Sequence, residues 1–151
     1  MKKTFMILGG IFLIIILLIG GMGLFTWYKS SKYEETAVPY IQSTVPELSK
    51  WDPELAKRYM VPKVFEETSD ENFAKIFKYL SRLGSLKKMN EPKFAKIFTG
   101  ATFGDGKQTL VTYTIDAVYE NGDATITIVL LDLGTAFQVY RFNVNSMALA
   151  E

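Results

Sequence analysis

From Thr4 to Tyr28 the chain carries no charged side chain, a run of 25 positions whose centre, Ile11 to Ile19, is entirely aliphatic or aromatic. About 20 apolar residues in a helix cross the hydrocarbon core of a bilayer, because in lipid every backbone group has to be satisfied within the segment. Lys2 and Lys3 precede the run, and Trp27, Tyr28 and Lys29 follow it. Amphipathic rings and snorkelling amines suit the headgroup level, so these five residues are the expected membrane interface. A cleaved secretory signal also opens on lysines, but its apolar region runs only about 7–15 residues. Gly21-Met22-Gly23 is a weak cleavage-like site, which leaves secretion after cleavage as the alternative. Length and flanks predict an uncleaved transmembrane anchor over residues 1–28 and a domain over residues 29–151. The short tail with Lys2, Lys3 and the amino terminus predicts that the N-terminus stays in the cytoplasm. The domain is then extracytoplasmic, which in a bacterium means the periplasmic side of the inner membrane.

Composition removes whole classes of chemistry. The sequence has no Cys and no His. There is accordingly no disulfide framework, no thiol nucleophile, no Cys-based zinc site, no imidazole base and no Ser–His–Asp triad. A formal net charge of +1 argues against an overall nucleic-acid binder. The charges are unevenly spread, with 13 basic and 10 acidic side chains in residues 29–98 but 2 and 6 in residues 99–151.

The first part of the domain reads as helices. Ala37, Val38, Ile41, Val45 and Leu48 recur at helical spacing and form one apolar stripe. Pro39 is tolerated if Thr36 is the N-cap, and Pro46 ends or bends the helix. Asp52-Pro53 is a restart, with Asp as N-cap and Pro at the first helical position, for a short helix to Met60 that turns Leu55 and Tyr59 inward. Ser69-Asp70-Glu71 opens the principal helix. Its inner stripe is Phe73, Ile76, Phe77, Leu80 and Leu83, and Gly84 stands where a C-cap belongs.

From Leu86 onward the hydrophobic period is two. Lys93 to Phe103 is the first expected strand, with Gly104-Asp105-Gly106-Lys107 as its turn. That loop lacks the spacing of a phosphate-binding loop and joins strands. Tyr113, Ile115, Ala117 and Tyr119 then share one face, and Asn121-Gly122 is a preferred two-residue hairpin turn. That turn would pair Tyr119 with Ala124, Ala117 with Ile126, Ile115 with Ile128 and Tyr113 with Leu130. A three-residue loop after Asp132 would put Tyr140, Phe142 and Val144 on the core face and keep Arg141 off it. The expected fold class is α+β, an N-terminal transmembrane helix followed by amphipathic helices packed on a four-stranded antiparallel meander sheet.

Helices ending in Leu83-Gly84, followed by a curled sheet with an Asn-Gly hairpin, resemble the cone-shaped α+β folds of the nuclear-transport-factor-two-like (SnoaL-like) and cystatin-like superfamily. The resemblance covers about residues 33–147 and rests on element order. It implies an accessory or binding module. Enzymes of that superfamily place an Asp or His dyad in the cone, and this chain has no His.

Phe73, Phe77, Tyr113, Tyr119, Tyr140 and Phe142 are the candidate pocket, either lining a cone for a small apolar ligand or packing as core. Leu110, Thr112, Val118, Val129 and Leu131 lie on the opposite sheet face, which is more apolar than solvent requires, and are the candidate partner face. Asp116, on that same face, is a base if a partner covers it and a solvated strand residue otherwise. Lys75, Lys78, Arg82, Lys87, Lys88, Lys93 and Lys96 are either a solvated surface or a contact for anionic headgroups. No catalytic residue, cofactor or metal is expected, and Asp116 with Asp132 makes no credible catalytic pair. The sequence therefore predicts a non-enzymatic accessory or interaction subunit of a larger membrane or envelope assembly. Its partners would be the bilayer and another membrane protein, with no nucleic acid. The alternative is a periplasmic module for a small apolar ligand.

Overall fold

The computed structural model describes residues 32–101 and 107–150. The expected anchor, with Lys2, Lys3, Trp27, Tyr28 and Lys29, lies outside them, as does most of the 104–107 turn. Among the described residues no helix is long and apolar enough to cross a membrane. The chain divides into two compact units, Met1–Thr36 and Ala37–Glu151.

Helix α1 covers residues 32–48. Thr36 does not cap it, because its hydroxyl donates back to the Lys32 carbonyl at 3.2 Å, the bond of a helix-interior threonine. Pro39 and Pro46 both lie within the helix, each leaving out one i→i−4 bond without ending it. Ala37, Val38, Ile41, Val45 and Leu48 are buried, as their spacing predicts. Helix α2 (Pro53–Lys57) starts as expected, the Asp52 carboxylate accepting from the Glu54 and Leu55 amides. It is shorter than predicted, and it buries Ala56 rather than Leu55. Met60, not Tyr59, is the buried residue that follows it. Helix α3 is Lys63–Glu67, and Lys57 ties α2 to the start of the next helix by an ion pair with Asp70 at 2.9 Å.

Helix α4 (Asp70–Leu80) is capped by the Ser69 hydroxyl, which accepts from the Asn72 amide. A 3-10 turn over Ser81–Leu83 extends it to Gly84, at φ 76°. Phe73, Phe77, Leu80 and Leu83 are buried, whereas Ile76 is 50% exposed and leaves the predicted stripe.

The sheet has five antiparallel strands rather than four: β1 (Leu86–Met89), β2 (Lys93–Ala101), β3 (Lys107–Tyr119), β4 (Gly122–Asp132) and β5 (Phe137–Asn145). β1 and β2 pair end to end along the same edge of β3, which pairs with β4, which pairs with β5. The predicted first strand is β2, and β1 is an additional short strand on the same edge, separated from it by the 90–92 segment, where the Asn90 amide still donates to the Asp116 carbonyl at 2.9 Å.

The β3–β4 register differs from the predicted one by one residue on each strand. Tyr119 pairs with Gly122, Ala117 with Ala124, Ile115 with Ile126, and Tyr113 with Ile128. The two turn residues are therefore Glu120 and Asn121, and neither has positive φ. Tertiary bonds set this turn. The Asn121 amide donates to the Leu83 carbonyl at 3.0 Å, its side-chain nitrogen to the Arg82 carbonyl at 2.7 Å, and the Glu120 amide to the Ser85 carbonyl at 2.9 Å. The hairpin tip thereby satisfies carbonyls that the end of α4 leaves open. Because the slip is one residue on both strands, no side chain changes face.

The β4–β5 loop holds four residues, 133–136, instead of three. A bulge at Tyr140 then changes the register, so that Val139 pairs with Leu130 while Phe142 pairs with Ile128. The bulge lets Val139 and Phe142 both face the core and sends Arg141 outward, which neither uniform loop length achieves. Tyr140 is the extra residue rather than a member of the core row. The last turn, Met147–Leu149, folds back under the tip: the Ser146 hydroxyl donates to the Asp123 carbonyl at 2.6 Å and the Tyr79 hydroxyl to the Leu149 carbonyl at 2.8 Å.

Candidate functional site

The inner face of the sheet is filled. Val111, Tyr113, Ile115, Ala117 and Tyr119 of β3 are buried, as are Ala124, Ile126, Ile128 and Leu130 of β4. Of the six candidate pocket residues, Phe73, Phe77, Tyr113 and Tyr119 lie at 4% exposure or less. The rings of Phe73 and Phe77 are 4.9 Å apart, and Phe65 meets Phe73 edge-on at 5.4 Å. Phe94 meets Tyr113 edge-on at 5.8 Å. Tyr140 and Phe142 are half-buried on β5. Phe73 and Phe77 are thus brought together as packed side chains, the geometry in which aromatic pairs add about 0.5–1.5 kcal/mol beyond their buried area.

Tyr119 joins a second cluster that the spacing of residues gave no sign of. Its hydroxyl lies 2.8 Å from the Ser49 hydroxyl, and its ring is 5.4 Å from Trp51. Burial pushes the Tyr119 phenol above its ordinary range, and the Ser49 hydrogen bond offsets part of that rise. Trp51 itself sits at φ 59°, in the left-handed region, and its indole N–H donates to the Gly84 carbonyl at 2.7 Å. Pro46, Ser49, Trp51, Gly84 and Leu86 border a concavity of about 440 Å³ there.

The outer face is ordered by register. One row across the sheet is Lys96–Thr112–Val129–Arg141, and the next is Phe98–Leu110–Leu131–Gln138. The five candidate partner-face residues therefore do share one face. Leu110 and Leu131 are direct cross-strand neighbours, as are Thr112 and Val129, whereas Val118 lies near the hairpin, opposite Asp123. Thr112 and Leu131 are buried, Leu110 and Val129 are half-buried, and Phe98 remains 50% exposed.

Toward the hairpin the same face turns polar. Asp116 accepts from the Thr125 hydroxyl at 3.3 Å and meets Lys93 at 3.7 Å, an exposed pair worth at most about 1 kcal/mol. Asp116, Asp123, Thr125, Asn145 and Ser146 line an open concavity of about 500 Å³ there. Among the described residues no group of three or more carboxylates could hold a metal ion. The signal that could have found Phe98 as part of the face was its alternation with Lys96, which a strand places on one side. No family model matches this chain, and neither a curated protein nor a solved structure does.

Proposed function

We propose that this chain is a non-enzymatic, single-pass membrane protein that acts as an accessory or interaction subunit of a larger membrane or envelope assembly. Residues 1–28 anchor it in the cytoplasmic membrane, and the α+β domain works on the extracytoplasmic side as a cone-shaped module of the SnoaL-like and cystatin-like kind. It docks through its transmembrane helix and through the outer sheet face. The uncharged run Thr4–Tyr28 supports the anchor. One observation carries the docking: Phe98, Leu110, Val129 and Leu131 are cross-strand neighbours in an apolar cluster on the sheet face turned away from the filled core, of which Phe98 is half-exposed, Leu110 and Val129 are half-buried and Leu131 is buried. An inner-face ligand would have to displace Phe73, Phe77, Tyr113 or Tyr119, each already buried among packed side chains, so docking is favoured over the cone as a ligand site.

The test is extraction of the protein in mild detergent, followed by native separation of the wild type and of a Val129→Glu variant. Co-migration of the wild type with a second protein, lost in the variant, is the expected result. Migration of the wild type as a lone monomer, or release from membranes without detergent, contradicts the proposal.

A further inference from the structure

We propose that the Lys96–Arg141 end of the outer sheet face receives an acidic amphipathic helix of the partner protein. This rests on the docking reading above and names the chemistry of the docked segment. In the row Lys96–Thr112–Val129–Arg141 the two ends are cations and the middle is a threonine and a valine. The adjoining row, Phe98–Leu110–Leu131–Gln138, has no charge at all. Lys96 and Arg141 are both exposed, and among the described residues no carboxylate pairs with either. The carboxylates of this face, Asp116 and Asp123, lie toward the hairpin, and Asp116 is already engaged by Lys93 and Thr125. The two charges left unanswered at this end are therefore of one sign, and they flank an apolar strip.

The spacing suits one helix. Lys96 and Arg141 are three strand intervals apart, about 14 Å from backbone to backbone. A helix with its side chains is about 10–12 Å across and fits between them when it lies along the strands. Apolar residues at i, i+3, i+4 and i+7 would rest on Phe98, Leu110 and Val129, and carboxylates on either flank would reach the two cations. A second copy of this chain is a poor occupant. Its best amphipathic helix, α4, already turns Phe73, Phe77 and Leu80 into its own core, so that stripe is not free to dock on another copy.

The experiment uses the full chain in nanodiscs of neutral phosphatidylcholine and two synthetic helical peptides. The peptides share one leucine stripe, and their flanks carry only Glu in one and only Lys in the other. Fluorescence anisotropy should show the Glu-flanked peptide binding at least about tenfold tighter, a difference that shrinks with added salt. The double variant Lys96→Glu/Arg141→Glu should reverse the preference, and Lys96→Gln/Arg141→Gln should abolish it. Circular dichroism melts of the variants check that they remain folded. Equal binding of both peptides, or a preference unmoved by the charge reversal, overturns the proposal. So does displacement of the Glu-flanked peptide by anionic lipid added to the nanodisc, which would assign the two cations to headgroups. If neither peptide binds while Val129→Glu still abolishes co-migration with a partner, the acidic helix is wrong and the docking reading stands.

Discussion

Trp51 is the one described non-glycine residue with positive φ, and a bulky side chain in that region costs roughly 1–2 kcal/mol. Its surroundings hold it there: the indole N–H reaches the Gly84 carbonyl and the ring lies against Tyr119, whose hydroxyl meets that of the buried Ser49. Tyr119→Phe leaves the Ser49 hydroxyl without this partner and should lower stability by about 1–3 kcal/mol, read from urea midpoints at neutral pH. The same residue carries a pH signature. Burial raises the phenols of Tyr119 and Tyr40 above their ordinary value of 10.0. The folded state thus favours the neutral form. That contribution is complete below about pH 10 and is lost as pH rises through the folded values. The decline of stability above pH 10 should be shallower in Tyr119→Phe than in the wild type. An identical slope would show that the Tyr119 phenol is as free to ionise folded as unfolded. Trp51→Phe keeps a ring but removes the bond to Gly84, with an expected loss of about 0.5–1.5 kcal/mol by the same measurement.

At the scale of elements, what could be read in advance was what short spacing determines. The Asp52 and Ser69 caps and the buried Phe73, Phe77 and Leu80 follow from contacts within a turn or two. Ser69→Ala should therefore cost about 1 kcal/mol in a thermal melt. The faces of β3 and β4 were legible as well, because alternation alone assigns them. The hairpin turn was not. Asn121-Gly122 is a good local turn pair, yet Arg82, Leu83 and Ser85 bind the tip one residue earlier, and they are more than 30 positions away in sequence. Gly122 serves another need: a Cβ there would lie 2.8 Å from the Ala148 Cβ. Gly122→Ala should destabilise by about 1–3 kcal/mol, and Ala148→Gly in the same chain should restore most of it. Failure of that rescue would mean the glycine matters for its backbone. The bulge at Tyr140 was hidden for a related reason. Each uniform register buried part of β5 well, and only a residue inserted into the strand satisfies Val139, Phe142 and Arg141 together. The partner face was accordingly visible as apolar residues on β3 and β4. Its cationic ends were not, since Arg141 joins the row of Lys96 only through the bulge at Tyr140.

Across the whole molecule, the inner sheet face is a filled core, and the outer face leaves Phe98 and Val118 exposed beside half-buried Leu110 and Val129. On the proposed function, the N-terminal run would be the tether that brings this face to its partner. Each part is testable alone, but the claim that joins them is that the outer face touches another protein in the membrane. The most direct measurement places a photo-crosslinking phenylalanine at Phe98 in the full chain, in native membranes, with the same residue at Glu71 on the exposed side of α4 as the reference. The account predicts a discrete adduct with a second protein from position 98 and none from position 71, with the position-98 adduct abolished by Val129→Glu. No adduct from either position, or equal adducts from both, would contradict it.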